Sequence, residues 1–486
     1  MCRRALATII ILFGFPKPTK RRPDALQRRF REVHHRTHLT DTVFNLFGDS
    51  SPSAITAPHY LTDRSIVILL GVSCGLMSLR VGSLQPEDFV LLGLLWLCIT
   101  KSIYSGFSLD ISPRVNSLFR AYSFFTLCLV VMGLLAIRLT FYPLDDASFL
   151  KQPIIFSASK LLQLTAVICG FLWLTNSFAK HRSFLSLALN TYWWTGIVTC
   201  LYSVACYFFL KLYPFEVPDI FGAYSLEDYT RARGFFNEGG PLGLYAASVL
   251  MVGLLRSRVT GRRLGVICTS VLCLAFVLSG SKAGFLAAAA LILVSAFSAA
   301  SVKARIFYCI LAIASLWGLG VWLKFDSQVA GYVYSYMNIE EEIAERGRDY
   351  NLVVGRVSAL HIVPKMVATH PLTGIGFGNY PLMRNDPNYL DGLPAITEVE
   401  DLPGLGLLGV AAEIGVPATL WLMVLLFIPY WRNRRRDVVV ACAALFQPMA
   451  HIFGMQITFF IPWFVSACAL GTAFSLRSDA LQHGQI

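Results

Sequence analysis

Two arginines, Arg231 and Arg233, lie just before a glycine-rich entry into an apolar segment. Guanidinium groups bind phosphate oxygens through paired hydrogen bonds, and the first turn of a helix adds partial positive charge. The spacing therefore predicts a phosphate or diphosphate site, to which the neighbouring Asn237 and Glu238 contribute polar atoms. The alternative is that both arginines only extend from the membrane edge towards water.

A lysine in a tight turn, Lys282, is a second candidate cation. It follows Ser281 in the sequence Ser-Gly-Ser-Lys-Ala-Gly. A serine beside a lysine can serve as nucleophile and base, but a helix cap followed by a lysine at the membrane edge is the simpler interpretation. We therefore predict that Lys282 helps to hold an anionic headgroup rather than to activate Ser281.

A third candidate site begins at Arg356 and ends in a glycine-rich turn. Apolar residues follow Arg356 at helical spacing and predict a short amphipathic helix. His370 comes next, and glycines then alternate with other residues through Gly376 to Asn379. Glycine permits tight turns and close approach of the backbone to a ligand. Arg356 and His370 are thus candidate catalytic groups, and Gly376 and Asn379 candidate binding residues; a surface arginine and a structural histidine are the alternatives.

Carboxylates lie near the start of a later apolar segment. Glu400 and Asp401 could act as a general base towards a sugar hydroxyl, although a solvated acidic loop is the more conservative interpretation. Glu413 falls inside the apolar segment, where a carboxylate is costly and indicates a functional or helix-pairing role. The sequence has no HExxH, paired CxxC or EF-hand pattern, so it supports no metal site and suggests no cofactor.

The elements that would position these residues are apolar. Hydrophobic residues make up 55% and charged residues 14% of the 486 residues, with a mean hydropathy of +0.59. A soluble domain carries about a quarter charged residues, so the composition excludes a water-soluble globular protein. It predicts an all-α polytopic integral membrane protein. The net charge of +12 comes from short clusters between apolar segments, which favours membrane orientation over nucleic-acid binding.

The apolar segments predict about 12 transmembrane helices. Their expected spans are approximately 65–80, 88–106, 121–140, 154–178, 190–211, 241–255, 264–280, 283–300, 306–324, 404–429, 438–453 and 456–475. Alternate connections are rich in Lys and Arg, and short cytoplasmic loops collect these residues. Both termini are therefore expected in the cytoplasm.

The chain is accordingly divided into five parts. Residues 1–64 are expected to form a basic, poorly ordered cytoplasmic segment, and 477–486 a cytoplasmic tail. Residues 65–324 hold transmembrane helices 1–9, and 404–476 hold helices 10–12. Between them, 325–403 form a large extracytoplasmic loop that carries short helices. All the arginine and glycine groups described above then fall on the extracytoplasmic side.

Taken in order, these groups resemble the O-antigen ligase and Wzy-type polysaccharide polymerase family over roughly residues 190 to 430. The matching elements are Arg231-x-x-Gly234-x-Phe236, Ser281-Lys282, Gly355-Arg356, His370-Pro371-Leu372-x-Gly374-x-Gly376-x-Gly378-Asn379, Leu408 and Glu413-x-Gly415. One element departs from the family. Where its members have His-Asn before the leucine, this chain has Gly404-Leu405.

The resemblance implies a GT-C-like, metal-independent glycosyltransferase of the bacterial inner (cytoplasmic) membrane. Its donor would be an undecaprenyl-diphosphate-linked glycan and its acceptor a glycan or lipid, with membrane lipids and other polysaccharide assembly proteins as partners. Arg231, Arg233 and Arg356 would clamp the diphosphate. Either a carboxylate such as Glu400 or Asp401 substitutes for the missing histidine, or that histidine is not essential to the chemistry. A carboxylate or His370 would orient or deprotonate the acceptor hydroxyl. The alternatives are a transporter or flippase of a lipid-linked sugar and a non-catalytic scaffold of the assembly complex.

Overall fold

The computed structural model describes most of the chain from residue 57 onward. The described residues are 57–76, 86–104, 110–136, 153–212, 231–236, 239–297, 306, 310, 325–346, 356–390, 392–396, 405–434, 437–453 and 455–482. The predicted N-terminal segment 1–64 lies outside this part except for its last residues, and the predicted span 306–324 does so except for two residues. From Tyr60 the described residues belong to one compact unit.

The described part of the chain is helical and contains no β-strand, which confirms the predicted all-α class. Its α-helices are α1 (Ala57–Ser73), α2 (Pro86–Tyr104), α3 (Asn116–Ala136), α4 (Pro153–Lys180), α5 (Arg182–Leu212), α6 (Gly239–Thr260), α7 (Val266–Leu278), α8 (Lys282–Phe297), α9 (Phe325–Met337), α10 (Ile339–Arg346), α11 (Arg356–Thr369), α12 (Tyr380–Met383), α13 (Pro387–Leu390), α14 (Gly406–Ile414), α15 (Val416–Asn433), α16 (Val438–Ile452) and α17 (Phe460–Gln482).

Four of these helices are long and apolar enough to cross a membrane. They lie in α3, α4, α6 and α17, within Asn116–Ala136, Ile155–Lys180, Gly240–Thr260 and Phe460–Ser478. A span needs about 20 apolar residues, so these helices indicate a membrane protein. The predicted total of about 12 spans remains a prediction.

One predicted span has a different structure from the one expected. The apolar segment 404–429 was expected to be a single helix, but Gly415 divides it into α14 and α15. Gly415 has φ 77°, which a continuous α-helix cannot accommodate. Glu413 therefore lies in the last turn of a short helix, next to a break, rather than within a continuous span.

Helix α17 forms the centre of the bundle. Every residue from Phe460 to Leu470 is buried. The helix packs against α4, α5, α6, α15 and α16. The Trp463 ring centroid lies 5.8 Å from that of Tyr122 on α3 and 5.5 Å from that of Phe171 on α4. A helix that is apolar on all sides suits this enclosed position.

One end of the bundle is basic. Its polar contacts are Arg114 to Ser478, Lys180 to Asp110, Arg182 to Val259, Arg258 to Asp437 and Arg432 to Ser117. These contacts join the starts of α3, α5 and α16 to the ends of α4, α6, α15 and α17. The 22 residues of α6 place its two ends about 33 Å apart.

The opposite end of the bundle brings the starts of α2 and α17 together, beside α4. Glu87 on α2 accepts a hydrogen bond from the backbone N–H of Phe460 at 3.1 Å, and Asp88 accepts one from Gln163 on α4 at 2.7 Å. A second, smaller apolar core contains residues of α11, α12, α13 and α14. The helix predicted after Arg356 is thus confirmed as α11, and its buried face packs on α14.

Candidate functional site

The segment that carries the first two arginines is anchored by alternate residues. Ala232 is buried and its backbone N–H donates to the carbonyl of Leu278 at 2.9 Å. Phe236 is also buried, with its ring centroid 5.1 Å from that of Tyr245 on α6. Buried residues alternate with more exposed ones along this segment, and Arg231 is exposed at the bundle surface.

Gly234 is required in this segment for two reasons. Its φ is 61°, a conformation that residues with a side chain rarely adopt. A Cβ at this position would also lie 1.8 Å from the hydroxyl oxygen of Ser203 on α5. Gly234 therefore lets the backbone lie directly on α5, immediately after Arg231 and Arg233 in the chain.

Arg231 lies alongside the turn between α7 and α8. The Nε, Cδ and Cγ atoms of Arg231 are 3.5 to 3.6 Å from the place where a Cβ of Gly280 would stand. Lys282 is the first residue of α8, two positions after Gly280, and is half-buried. The structure therefore brings together the first and second predicted groups, which are far apart in sequence.

Ser281 caps helix α8. Its hydroxyl donates to the carbonyl of Gly240 at 2.8 Å and accepts from the backbone N–H of Gly284 at 3.0 Å. The residue is 1% exposed. Both hydrogen bonds favour the helix-cap interpretation over a nucleophile, and they fix the start of α6 to the start of α8.

The glycine turn is joined by its backbone to the break between α14 and α15. The hydrogen bonds run from Ile375 N to Ala412 O at 2.9 Å, from Gly376 N to Glu413 O at 2.8 Å and from Val416 N to Pro371 O at 2.8 Å. Two of these carbonyls belong to the last turn of α14, which has no partner for them within its own helix. The backbone N–H groups of the glycine turn thus satisfy the free carbonyls at the end of α14.

The other side of the glycine turn rests on the start of α4. The hydroxyl of Ser157 donates to the carbonyl of Phe377 at 2.9 Å, and a Cβ at Gly378 would lie 2.7 Å from Cβ and Cγ of Lys160. Sequence reasoning missed Lys160, since it stands inside a predicted span. Only the packing of α4 on the turn places this cation beside the site.

Glu413 and Asn379 face the glycine turn from its two ends. An oxygen of the half-buried Glu413 carboxylate accepts from the backbone N–H of Tyr380 at 3.4 Å. Asn379 is 2% exposed, and its amide nitrogen donates to the carbonyl of Ile375 at 2.9 Å. The amide oxygen of Asn379 has no hydrogen-bond partner among the described residues.

Two further polar groups, Tyr380 and Arg384, are buried behind this turn. Arg384 donates from Nη1 to the carbonyl of Pro394 at 2.9 Å. Burial raises the pKa of Tyr380 to about 12, against the opposing effect of the Arg384 charge. Burial also lowers the pKa of Arg384. Tyr380 is consequently a neutral phenol at physiological pH, and Arg384, which the sequence did not single out, holds the segment that follows α12.

Arg356 and His370 stand at opposite ends of α11. Arg356 is its first residue, and its side chain lies outside the described part of the structure. His370 follows the last turn. Its backbone N–H donates to the carbonyl oxygen of Met366 at 3.0 Å, and its backbone carbonyl accepts from the backbone N–H of Gly374 at 3.0 Å. Four other predicted site residues also lie outside the described residues, namely Asn237, Glu238, Glu400 and Asp401.

A buried histidine, His451, lies close to the position at which the sequence lacks the expected one. Gly404 is outside the described residues, but a Cβ at Gly406 would stand 3.3 Å from the carbonyl oxygen of His451. His451 is 2% exposed; its Nδ1 lies 3.1 Å from the carbonyl oxygen of Met455, and its Nε2 has no partner within the described residues. The signal that could have identified it is a histidine inside an apolar segment.

Helix α16 connects the two groups of site residues. It packs against α6 and α8, which position Arg231 and Lys282, and against α14 and α15, which position Glu413 and the glycine turn. Both groups lie at the end of the bundle opposite the basic contacts. The arrangement places cations and a carboxylate at one end of an apolar bundle, and it is suited to a ligand that is both anionic and polar.

Comparisons with known proteins do not assign this chain to a family. It matches no protein-family model, and it matches no curated protein sequence.

Proposed function

We propose that this chain is a membrane glycosyltransferase that transfers a glycan from an undecaprenyl-diphosphate-linked donor to a glycan or lipid acceptor. The observation that carries the proposal is the contact of Arg231 with the Gly280 turn. It collects Arg231, Arg233 and Lys282 at one end of the bundle, where a diphosphate at the membrane surface could bind. The motif resemblance supplies the reaction class.

The sidedness of the site follows from the distribution of charge. The basic end carries Lys180, Arg182, Arg258 and Arg432, and the positive-inside rule assigns such an end to the cytoplasm. In our proposal the protein is a GT-C-like multi-pass protein of the bacterial inner membrane with about 12 spans. Both termini are cytoplasmic, and the site faces the extracytoplasmic side.

The donor diphosphate would be held by guanidinium groups. Arg231 and Arg233 lie just before Gly234, and Lys282 begins the helix that follows the Gly280 turn, against which Arg231 lies. Charge builds up on the diphosphate as it leaves, and fixed cations in a partly desolvated site stabilise that charge. Arg356 would contribute from the start of α11. Because these cations supply the positive charge, the proposal requires no metal ion.

The transfer step breaks the bond between the donor sugar C1 and the diphosphate oxygen. The electron pair remains on the undecaprenyl diphosphate, and a hydroxyl oxygen of the acceptor forms the new bond to C1. The hydroxyl proton passes to a base, for which Glu400, Asp401 and His370 are the candidates.

The glycine turn would shape the acceptor side of the site. Gly376, Asn379 and Glu413 lie within one set of hydrogen bonds between the turn, α12 and α14. Lys160 borders the same turn from α4. A set of polar groups of this kind suits sugar hydroxyl groups, which bind through paired donors and acceptors.

Replacing Arg231 tests the proposed diphosphate clamp. In cells that depend on this protein for their surface glycan, Arg231→Ala should lower transfer roughly hundredfold, as loss of a fixed charge-stabilising donor does. Arg231→Lys should retain part of the activity, since it keeps the charge but not the paired hydrogen bonds. Glycan length and lipid attachment on gels would be measured, with transfer to a purified acceptor in vitro.

The matched control is Arg263→Ala, because Arg263 is an exposed arginine beyond the basic end of α6. Normal glycan from Arg231→Ala at normal protein level would contradict the clamp. Arginine variants that are silent while deletion abolishes the glycan would instead favour a scaffold. Movement of the donor across liposomes without glycan transfer would favour a flippase.

A further inference from the structure

A groove at the basic end of the bundle is unrelated to the site described above. It lies between α3 and α15, has a volume of about 540 Å³, and is lined by residues that include Asn116, Ser117, Arg120, Phe124 and Trp421. Asn116, Ser117 and Arg120 lie in the first two turns of α3. The groove therefore opens where the bundle changes from its basic end to its apolar side.

The part of the groove at the start of α3 is polar and positively charged. Arg120 is exposed, and it makes no hydrogen bond or ion pair with another described residue. Arg432, near the end of α15, donates from Nη2 to the hydroxyl of Ser117 at 2.7 Å. Arg120 lines the groove itself, and Arg432 reaches its edge through the lining residue Ser117; the described lining residues include no carboxylate.

The part of the groove further along α3 is lined by aromatic side chains. The rings of Phe124 and Trp421 meet edge to face with centroids 6.4 Å apart, and they are 58% and 42% exposed. Phe124 follows Arg120 by one helical turn, which is about 6 Å along α3. Exposed Leu127 and Leu420 continue the apolar surface beside them. Aromatic residues of this kind are typical of the membrane–water boundary.

We propose that this groove binds an anionic phospholipid. Arg120 and Arg432 hold the phosphate, Ser117 and Asn116 hydrogen-bond to the headgroup, and Phe124 and Trp421 contact the first carbons of the acyl chains. The positively charged Arg120 and the apolar Phe124 are one helical turn apart on α3. The phosphate and the first acyl carbons of a phospholipid follow one another in the same order and at a similar distance. A zwitterionic lipid fits the apolar part equally well but gains less from two arginines.

Quenching of Trp421 fluorescence by brominated lipids tests this site. The full-length protein is reconstituted in vesicles of phosphatidylcholine and phosphatidylglycerol, with bromine on the acyl chains of one lipid at a time. The difference between the wild type and Trp421→Phe isolates the Trp421 signal from the other tryptophans. We expect brominated phosphatidylglycerol to quench Trp421 several-fold more than its mole fraction predicts, and brominated phosphatidylcholine to quench it less.

The arginine variants make the test specific. Arg120→Gln and Arg432→Gln should each lower the preference for phosphatidylglycerol roughly fivefold, as expected for one basic residue at a lipid surface. Arg263→Gln removes an exposed charge from another loop and should leave the preference unchanged. Unfolding midpoints of all variants in detergent would show that the bundle remains folded.

Three results would overturn the proposal. Equal quenching by both brominated lipids would show that the groove does not select charge. An equal loss of preference in Arg263→Gln would show that only the overall surface charge matters. Protection of Trp421 from both lipids would show that protein, such as a second copy of the chain, covers the groove.

Discussion

At the scale of single residues, glycines decide where the candidate arginines stand. Gly234 and Gly280 both have positive φ, 61° and 55°, and both lie where another chain segment approaches closely. Arg231 lies three residues before Gly234 in the sequence and packs alongside Gly280 in space. The position of the Arg231 side chain therefore depends on the backbone conformation of two glycines, Gly234 and Gly280.

Replacing Gly234 should therefore destabilise the site. Gly234→Ala introduces a Cβ 1.8 Å from the hydroxyl oxygen of Ser203 and adds about 1–2 kcal/mol for the left-handed conformation alone. We expect a lower unfolding midpoint in detergent and lower glycan transfer. Heating the purified variant with a thiol-reactive dye would measure the midpoint.

The collision and the backbone strain can be separated. Gly234→Ala combined with Ser203→Gly removes the side chain that is struck and should recover part of the stability. Gly93→Ala is the control, because no described atom lies within 4 Å of the added Cβ. An unchanged midpoint for Gly234→Ala would contradict the close packing of this segment on α5.

At the scale of elements, the break between α14 and α15 creates the second half of the site. Gly415 ends α14, and the carbonyls left over there accept hydrogen bonds from the glycine turn. A Cβ at Gly415 would lie 2.3 Å from the carbonyl oxygen of Leu372. The helix break and the turn therefore depend on each other.

Gly415→Ala should separate the glycine turn from α14. The collision is with backbone, which has little freedom to move, so we expect the turn to detach and become sensitive to proteases between Pro371 and Asn379. Limited proteolysis with mass spectrometry would locate the cleavage. Loss of transfer activity should accompany it if the turn shapes the acceptor site.

Gly392→Ala is the matched control for this variant. Gly392 has φ 82°, close to the 77° of Gly415, but no described atom lies within 4 Å of the Cβ that alanine would add. Both variants carry the same conformational strain, and only Gly415→Ala adds a collision. Equal protease sensitivity in the two variants would show that packing at the break is unimportant.

At the scale of the whole molecule, the bundle has two chemically different ends. Contacts among helix termini gather arginine and lysine at one end, and the glycine turn, Glu413 and Arg231 at the other. If the helices cross a membrane as proposed, the two ends lie in different compartments. The candidate site and the lipid groove then face opposite leaflets.

Cysteine labelling tests this separation. Leu372 is 69% exposed in the glycine turn, and Arg263 is exposed beyond the basic end of α6. In intact cells a membrane-impermeant maleimide should label Leu372→Cys, and it should label Arg263→Cys only after permeabilisation. Labelling of both in intact cells would contradict opposite ends, and the reverse pattern would contradict the proposed orientation.

The sequence alone determined the all-helical class, the presence of long apolar helices and the short helix after Arg356. These properties depend on residue type and local spacing, because apolar length and periodicity act within one segment. It also indicated the two groups of candidate residues, since clustered charges and glycines stand out against an apolar background.

Only the tertiary structure decided which of these residues meet. The contact of Arg231 with the Gly280 turn, the division of the predicted span at Gly415 and the position of Lys160 beside Gly378 all depend on packing between distant segments. Arg384 and His451 were missed for the same reason. A buried polar side chain acquires its role from the neighbours that enclose it, and these neighbours are not adjacent in sequence.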